Sequence, residues 1–166
     1  MSINFEFVPE YSSWDVEKLN EIAEEVSEAT KTKLRLPKFA SVAVLLCDNA
    51  KIQRLNRDFR GSDKVTNILS WPNENLRVAP SGQFPNLAVN PQLGDLAMAY
   101  EACFSESRVG RIPFSDHLTH LLLHGTLHLL GYDHIDDTDG LIMEAIEIEV
   151  LAKMCISNPY VINEEI

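Results

Sequence analysis

The sequence predicts a mixed α+β fold, because about four strand-like and about five helix-like segments follow one another without strict alternation. Two bulk observations agree with one unit of this class. A chain of 166 residues suffices for one hydrophobic core and not for two, and 45% hydrophobic residues is normal for a folded protein and too high for a disordered one. No internal repeat, low-complexity tract or linker interrupts it, so residues 1–166 read as one domain.

Each element has its own signal. Ile3, Phe5 and Phe7 alternate with polar residues, which predicts a strand over 3–8. Ser12 or Ser13 is placed to cap a helix over 14–30, with Val16, Leu19, Ile22, Ala23 and Val26 on its apolar face. Residues 41–47 are β-branched and apolar, a buried strand. Asp48 or Asn49 caps a second helix that reaches about residue 59, with Ile52, Leu55 and Phe59 facing inward. After the turn Gly61-Ser62-Asp63, residues 65–71 read as a third strand that Pro72 stops. Residues 73–91 are rich in Pro, Asn and Gly and predict a long loop, a length often associated with function. A fourth strand over 93–100 leads into a short helix to about 109. Pro113 and Ser115 open another helix that runs to Leu130 and stops at Gly131, and Asp137 or Asp139 begins the last one, to about 154.

The formal charge of −11, from 25 acidic and 14 basic residues, sets a default of repulsion from nucleic acid. The sign is uneven: acids gather at 17–28, 133–139 and 144–149, basic residues at 31–38 and 51–64, so a local basic groove is compatible with an acidic whole. Cys47, Cys103 and Cys155 are odd in number and form no CxxC pair, which argues against a disulfide framework and a thiolate zinc site. Cys47, in an apolar run, reads as a small buried hydrophobe. No charged region precedes an apolar stretch at the N-terminus, and the most apolar segment, 118–130, carries three histidines. Neither a secretory signal nor a membrane span is expected, and the cytoplasm is the expected compartment.

The segment His124-Gly-Thr-Leu-His128-Leu-Leu-Gly131-Tyr-Asp-His134 carries the chemistry. His124 and His128 stand one helical turn apart, so their rings project from one face, within reach of a single ion at roughly 2.0–2.1 Å. Gly131 sits where a helix can end in a left-handed residue, which would turn the chain and bring in His134. Three neutral imidazoles leave a fourth position open, as a catalytic zinc site requires. Chance matches to HxxxHxxGxxH are expected on the order of 10⁻⁴ per chain at this composition, so the pattern outweighs a reading as three ordinary histidines. The spacing resembles the zinc helix of metzincin peptidases, but Gly125 stands where those enzymes carry a general-base Glu, which argues against protease chemistry. Of the neighbours, His120 reads as a donor behind the ligands or a solvent contact, His117 as a surface residue, Asp133 as either an orienting carboxylate or a solvated turn, and Asp136, Asp137 and Asp139 as helix caps.

The histidine string, followed by Met143-Glu144 in an acidic helix, resembles the signature of the YbeY family of bacterial endoribonucleases. The blocks from Leu55-Asn56-Arg57-Asp58-Phe59-Arg60-Gly61 to Lys64, Thr66-Asn67-Ile68-Leu69-Ser70-Trp71-Pro72 and Leu93-Gly94-Asp95-Leu96 extend the likeness, which covers about residues 41–154. Trp71 stands where the family usually has Phe, and Asn67 where Asp is frequent. The resemblance implies one Zn²⁺ per chain held by His124, His128 and His134, and Arg60 facing the metal cleft, with Arg60 and His124 as the catalytic residues. It implies cleavage of single-stranded RNA in 16S rRNA 3′-end maturation and ribosome quality control, with the small ribosomal subunit and its assembly factors as partners and neither DNA nor a membrane involved. Guanidinium suits the phosphate role, being planar, always charged and able to donate two parallel hydrogen bonds. Read from the helix alone, Arg60 is a C-terminal cation offsetting the dipole. Arg54, Arg57 and Lys64 read as solvated charge or as added phosphate contacts. Two rival readings are a zinc metallopeptidase-like hydrolase and a non-catalytic ribosome-assembly factor.

Overall fold

The alternating stretch at the N-terminus forms strand β1 (Ile3–Pro9), with Ile3 and Phe5 turned into the core. The computed structural model of the chain, which describes residues 2–78 and 80–161, continues through α1 (Val16–Thr30), β2 (Ala40–Cys47), α2 (Asn49–Arg60), β3 (Ile68–Pro72), β4 (Gln92–Ala99), α3 (Tyr100–Val109), α4 (Phe114–Leu129) and α5 (Asp137–Lys153). Four strands and five helices among the described residues make the mixed α+β fold that the sequence predicts.

The strands form one sheet in the order β1-β2-β4-β3. β1, β2 and β4 run parallel, and β3 pairs antiparallel with β4 to make an edge. A parallel strand covered on both faces has little use for polar residues, which explains the nearly continuous apolar run of β2. On one face Val44 and Leu46 pack with Leu19 of α1, Leu122 of α4 and Leu151 of α5 in the main core. On the other face Ile52 of α2 covers Cys47, Leu69, Ala97 and Ala99. Fully burying one such large aliphatic side chain stabilises the fold by roughly 1.5–3 kcal/mol.

Several local expectations need correction. Asp15, not Ser12 or Ser13, caps α1 by accepting from the Lys18 backbone N–H at 3.1 Å. The last helix, by contrast, begins at Asp137 as expected, and of the three aspartates read as caps Asp136 is its N-cap, accepting from the Asp139 N–H at 2.9 Å. β3 begins at Ile68 rather than residue 65, and Tyr100 opens α3 instead of ending β4. Phe59 does not face inward: it is 67% exposed and meets Trp71 of the edge strand β3 edge to face. Among the described residues no helix is long and apolar enough to cross a membrane.

Three features position the site. α4 lies so close to the sheet that a Cβ on Gly125 would stand 2.8 Å from Ile68 Cδ1 and 2.9 Å from Leu96 Cδ2, so glycine lets the helix settle there without displacing those methyl groups. At Gly131 φ is +96°, and a Cβ would meet Leu76 and Pro85 at 2.8 and 2.9 Å. The chain therefore reverses directly after α4, under the 73–91 segment, of which residue 79 lies outside the described residues. That segment is anchored rather than free. Asp139 accepts from the Gly82 N–H at 2.7 Å and from Arg77 at 3.3 Å, and Glu74 accepts from the N–H groups of Val89 and Asn90.

Candidate metal centre

Helix α4 carries His117, His120, His124 and His128 at spacings of three and four residues, which sets them along one stripe. The stripe faces a cleft of about 860 Å³ whose opposite wall is built from Asn67, Ser70 and residues 72–77. The reversal at Gly131 brings His134 back over the last turn of the helix. The ring centroids of His124 and His128 are 4.6 Å apart, and His134 lies 5.3 and 5.0 Å from them. A nitrogen from each of the three lies within 4.8 Å of the other two.

Hydrogen bonding sets the tautomers of two rings. His128 Nδ1 lies 3.0 Å from the Tyr132 carbonyl, which only accepts, so Nδ1 carries the proton and Nε2 the lone pair. His124 Nδ1 lies 3.2 Å from Glu147 Oε2, and an ionised carboxylate likewise only accepts. The two Nε2 atoms stand 3.0 Å apart. With both rings neutral, two lone pairs then face each other at a distance where they repel, and a cation between them turns the repulsion into coordination. Two nitrogens bound tetrahedrally at 2.0–2.1 Å would stand roughly 3.3 Å apart. Burial, reinforced by His124 and His134 nearby, pushes the His128 imidazole down to about 4, which keeps it neutral and able to ligate at physiological pH. The donor set fits a divalent ion of the kind imidazole prefers.

A second group, His120, His124 and Glu147, also gathers potential ligand atoms within 4.8 Å. Its polar atoms are matched internally. Glu147, with no exposed side-chain surface, faces His120 Nε2 at 2.5 Å and His124 Nδ1 at 3.2 Å, and its Oε1 accepts from Tyr160 Oη at 2.8 Å. Burial alone would raise the carboxyl, but the hydrogen bonds from His120 and His124 outweigh it and hold it at about 2. Both carboxylate oxygens have donors, so the group is matched without a cation.

The structure brings His124, His128 and His134 together and sets Arg60, in the last turn of α2, on the same cleft. The Arg60 guanidinium donates from Nη2 to the Ser70 carbonyl of β3, a contact that aims the side chain beyond its own helix end. Arg54, Arg57 and Lys64 do not line the cleft, and Arg57 pairs with Asp58 at 3.1 Å. His117 is not a surface residue: its Nε2 is buried without a hydrogen-bond partner, 3.7 Å from Glu106 Oε1. Among the described residues Asp133 makes no hydrogen bond to an imidazole. It accepts from the His134 backbone N–H at 2.7 Å and so stiffens the turn. Sequence reasoning passed over Glu147 and Tyr160. For Glu147 a signal existed: it falls in the buried stripe of α5 with Met143, Ile146, Val150 and Leu151, where a lone carboxylate is out of place.

Comparison with known proteins gives concordant results. The family model described as "Endoribonuclease YbeY" matches residues 5–155. Proteins named Endoribonuclease YbeY from Ruegeria sp. (strain TM1040) and Paracoccus denitrificans (strain Pd 1222) are each 42% identical to this chain; the alignments cover 95% and 96% of it, and 96% and 91% of the relatives. In fold, the chain is similar to the solution structure of TM1509 from Thermotoga maritima, with a TM-score of 0.56 and 22% identity over 92% of this chain and 91% of that one.

Proposed function

The chain belongs to the YbeY endoribonuclease family, and from that premise we propose that it is a metal-dependent endoribonuclease that cuts single-stranded RNA. The observation that carries the metal dependence is the pair of Nε2 atoms, 3.0 Å apart and backed by acceptors on their other nitrogens, on a cleft that Arg60 also lines. His124, His128 and His134 would hold one ion per chain, and three imidazoles with an open fourth position favour Zn²⁺. Such an ion supplies Lewis acidity toward a phosphate oxygen and lowers the pKa of a water it binds.

The chain's own residues do the rest. Arg60 retains donors beyond the one given to Ser70, and these would neutralise charge that develops on the scissile phosphate. His124 is held with its lone pair toward the cleft by Glu147, and His128 by the Tyr132 carbonyl, so neither ring reorganises during the reaction. Single strands are the expected substrate because a flexible backbone can enter a cleft that a duplex cannot. The net charge of −11 disfavours free RNA, which supports delivery by a partner, and the small ribosomal subunit with its assembly factors fits that need. In this reading residues 1–166 act as one cytoplasmic domain in 16S rRNA 3′-end maturation and ribosome quality control. Gly125 weighs against a peptidase, since a side chain there meets Ile68 and Leu96 before it can serve as a base.

The test is cleavage of single-stranded ribosomal RNA by purified protein after chelation and after zinc is restored, beside His124→Ala. Loss, recovery and an inactive variant are expected. Equal cleavage by the variant would assign the activity to a contaminant. Mapping the RNA ends then separates attack by water, which leaves a monophosphate, from attack by the 2′-hydroxyl, which leaves a cyclic phosphate. A cell that carries His124→Ala and still processes rRNA normally would make the protein an assembly factor instead.

A further inference from the structure

Glu147 is a charged side chain with no solvent exposure, set among the apolar residues of α5. Such a group persists only when it is fully paired. Here it is paired by three residues: His120 and His124 from α4, and Tyr160, which follows α5 in sequence. The Tyr160 ring also stands edge-on to His120, with centroids 5.7 Å apart. The two best-defined cleft histidines differ in how they are held. His128 is oriented by a backbone carbonyl, which no substitution of a side chain removes, whereas the His124 Nδ1 is held by a side chain, that of Glu147.

We propose that Glu147 is the positioning residue for the metal-facing imidazole of His124, and that Tyr160, by occupying its other oxygen, makes the segment after α5 part of the metal centre. An acceptor-only partner on Nδ1 excludes the tautomer in which Nε2 is protonated, blocks rotation of the ring, and leaves the Nε2 lone pair toward the cleft. Tyr160 keeps Oε1 from turning away, so Oε2 stays on the two imidazoles. The inference rests on the reading of His124, His128 and His134 as metal ligands.

The experiment is competition for Zn²⁺ between the full chain and a chromophoric chelator, for the parent, Glu147→Gln, Tyr160→Phe, His124→Ala and His128→Ala. Gln keeps the shape but replaces one acceptor oxygen with a donating NH₂ and removes the charge, so it cannot accept from both rings and from Tyr160 together. It is expected to weaken zinc binding by roughly 10–100-fold, the range typical of an outer hydrogen-bond partner. Tyr160→Phe retains the ring against His120 and should cost only a few-fold. In parallel, ¹⁵N imidazole spectra of the metal-free parent should show His124 protonated at Nδ1, and those of Glu147→Gln a mixture of tautomers. Unchanged zinc affinity in a folded Glu147→Gln protein, or a parent His124 protonated at Nε2, overturns the proposal; the parent spectrum decides even if the variant does not fold. If His124→Ala and His128→Ala also leave zinc affinity intact, the metal reading itself fails, a result distinct from failure of the positioning role alone.

Discussion

His124 belongs to two clusters built from the same kinds of residue, and the two differ in what they leave unsatisfied. On the cleft side, its Nε2 faces that of His128 at 3.0 Å, an arrangement that gains nothing until something positive enters. On the inner side, its Nδ1 joins His120 and Tyr160 around Glu147, where one acceptor has three donors. Both groups have ligand atoms close enough to hold an ion. Proximity therefore does not distinguish a binding site from a structural network; the match of donors to acceptors does. Where polar groups are mismatched inside a cleft, the fold has stored affinity for a ligand, and where they are matched it has stored stability.

That contrast can be broken by truncating one residue from each side. His128→Ala removes a proposed ligand, and its expected result is loss of metal-dependent cleavage by more than roughly 10³-fold, beyond what an outer partner alone would cost. The metal-free protein should lose little stability, since the side chain gives up one hydrogen bond to Tyr132, worth about 1 kcal/mol. Glu147→Ala strips the acceptor from two imidazoles and a phenol and leaves a cavity in the core, so unfolding in denaturant should show a loss of about 3 kcal/mol. Equal destabilisation by both substitutions would erase the distinction.

Acid sharpens it. In metal-free protein His128 titrates at about 4 when folded against 6.5 when unfolded, so between those values the unfolded chain binds more protons, and stability is lost as pH falls from 6.5 toward 4. Glu147 is held at about 2 against an ordinary 4.5, so its contribution is complete above 4.5 and is lost as pH falls toward 2. Both losses are acid-side, but in successive windows. Melting temperature followed against pH should lose the upper slope in His128→Ala and the lower one in Glu147→Gln.

A smaller effect is expected where the helix meets the sheet. Gly125→Ala pushes a Cβ to within 2.9 Å of two side-chain methyl groups, Ile68 Cδ1 and Leu96 Cδ2. Overpacking is partly offset by the better helix propensity of Ala, for a net loss of roughly 1 kcal/mol in thermal or denaturant unfolding. If the methyl groups yield, metal affinity stays at the parent level; if α4 shifts instead, affinity falls with stability.

These regions also differ in how much of them can be read without coordinates. The triad was legible because its geometry is local: one helical turn separates His124 from His128, and a glycine allows the reversal to His134. Arg60 became legible only through family likeness, since its place on the cleft depends on the packing of α2 beside β3. Glu147 lies 23 residues from its partner His124, and nothing short of the α4–α5 packing pairs them. Phe59 misled for a related reason. Its helical spacing is that of an inward residue, yet it stays largely exposed against Trp71 of the edge strand, and periodicity does not report how far a neighbouring element covers a helix.

The two basic stretches permit the finest comparison. Lys31 and Lys33 are engaged by Glu28 and Glu149 at 2.7 Å each, and neither lines the cleft of the histidines. Arg54 stands in α2 six residues before Arg60, which lines that cleft, and Lys64 follows Arg60 by four residues. Neutralising either should weaken RNA binding alike for all sequences and reduce the dependence of log K on log salt by about 0.7 for each phosphate no longer neutralised, the value for single strands. Lys31→Gln should leave the slope unchanged. A slope that responds to Lys31 and not to Lys64, measured by fluorescence anisotropy on chelated protein, would place the RNA path over the α1–β2 connection and take α2 out of it.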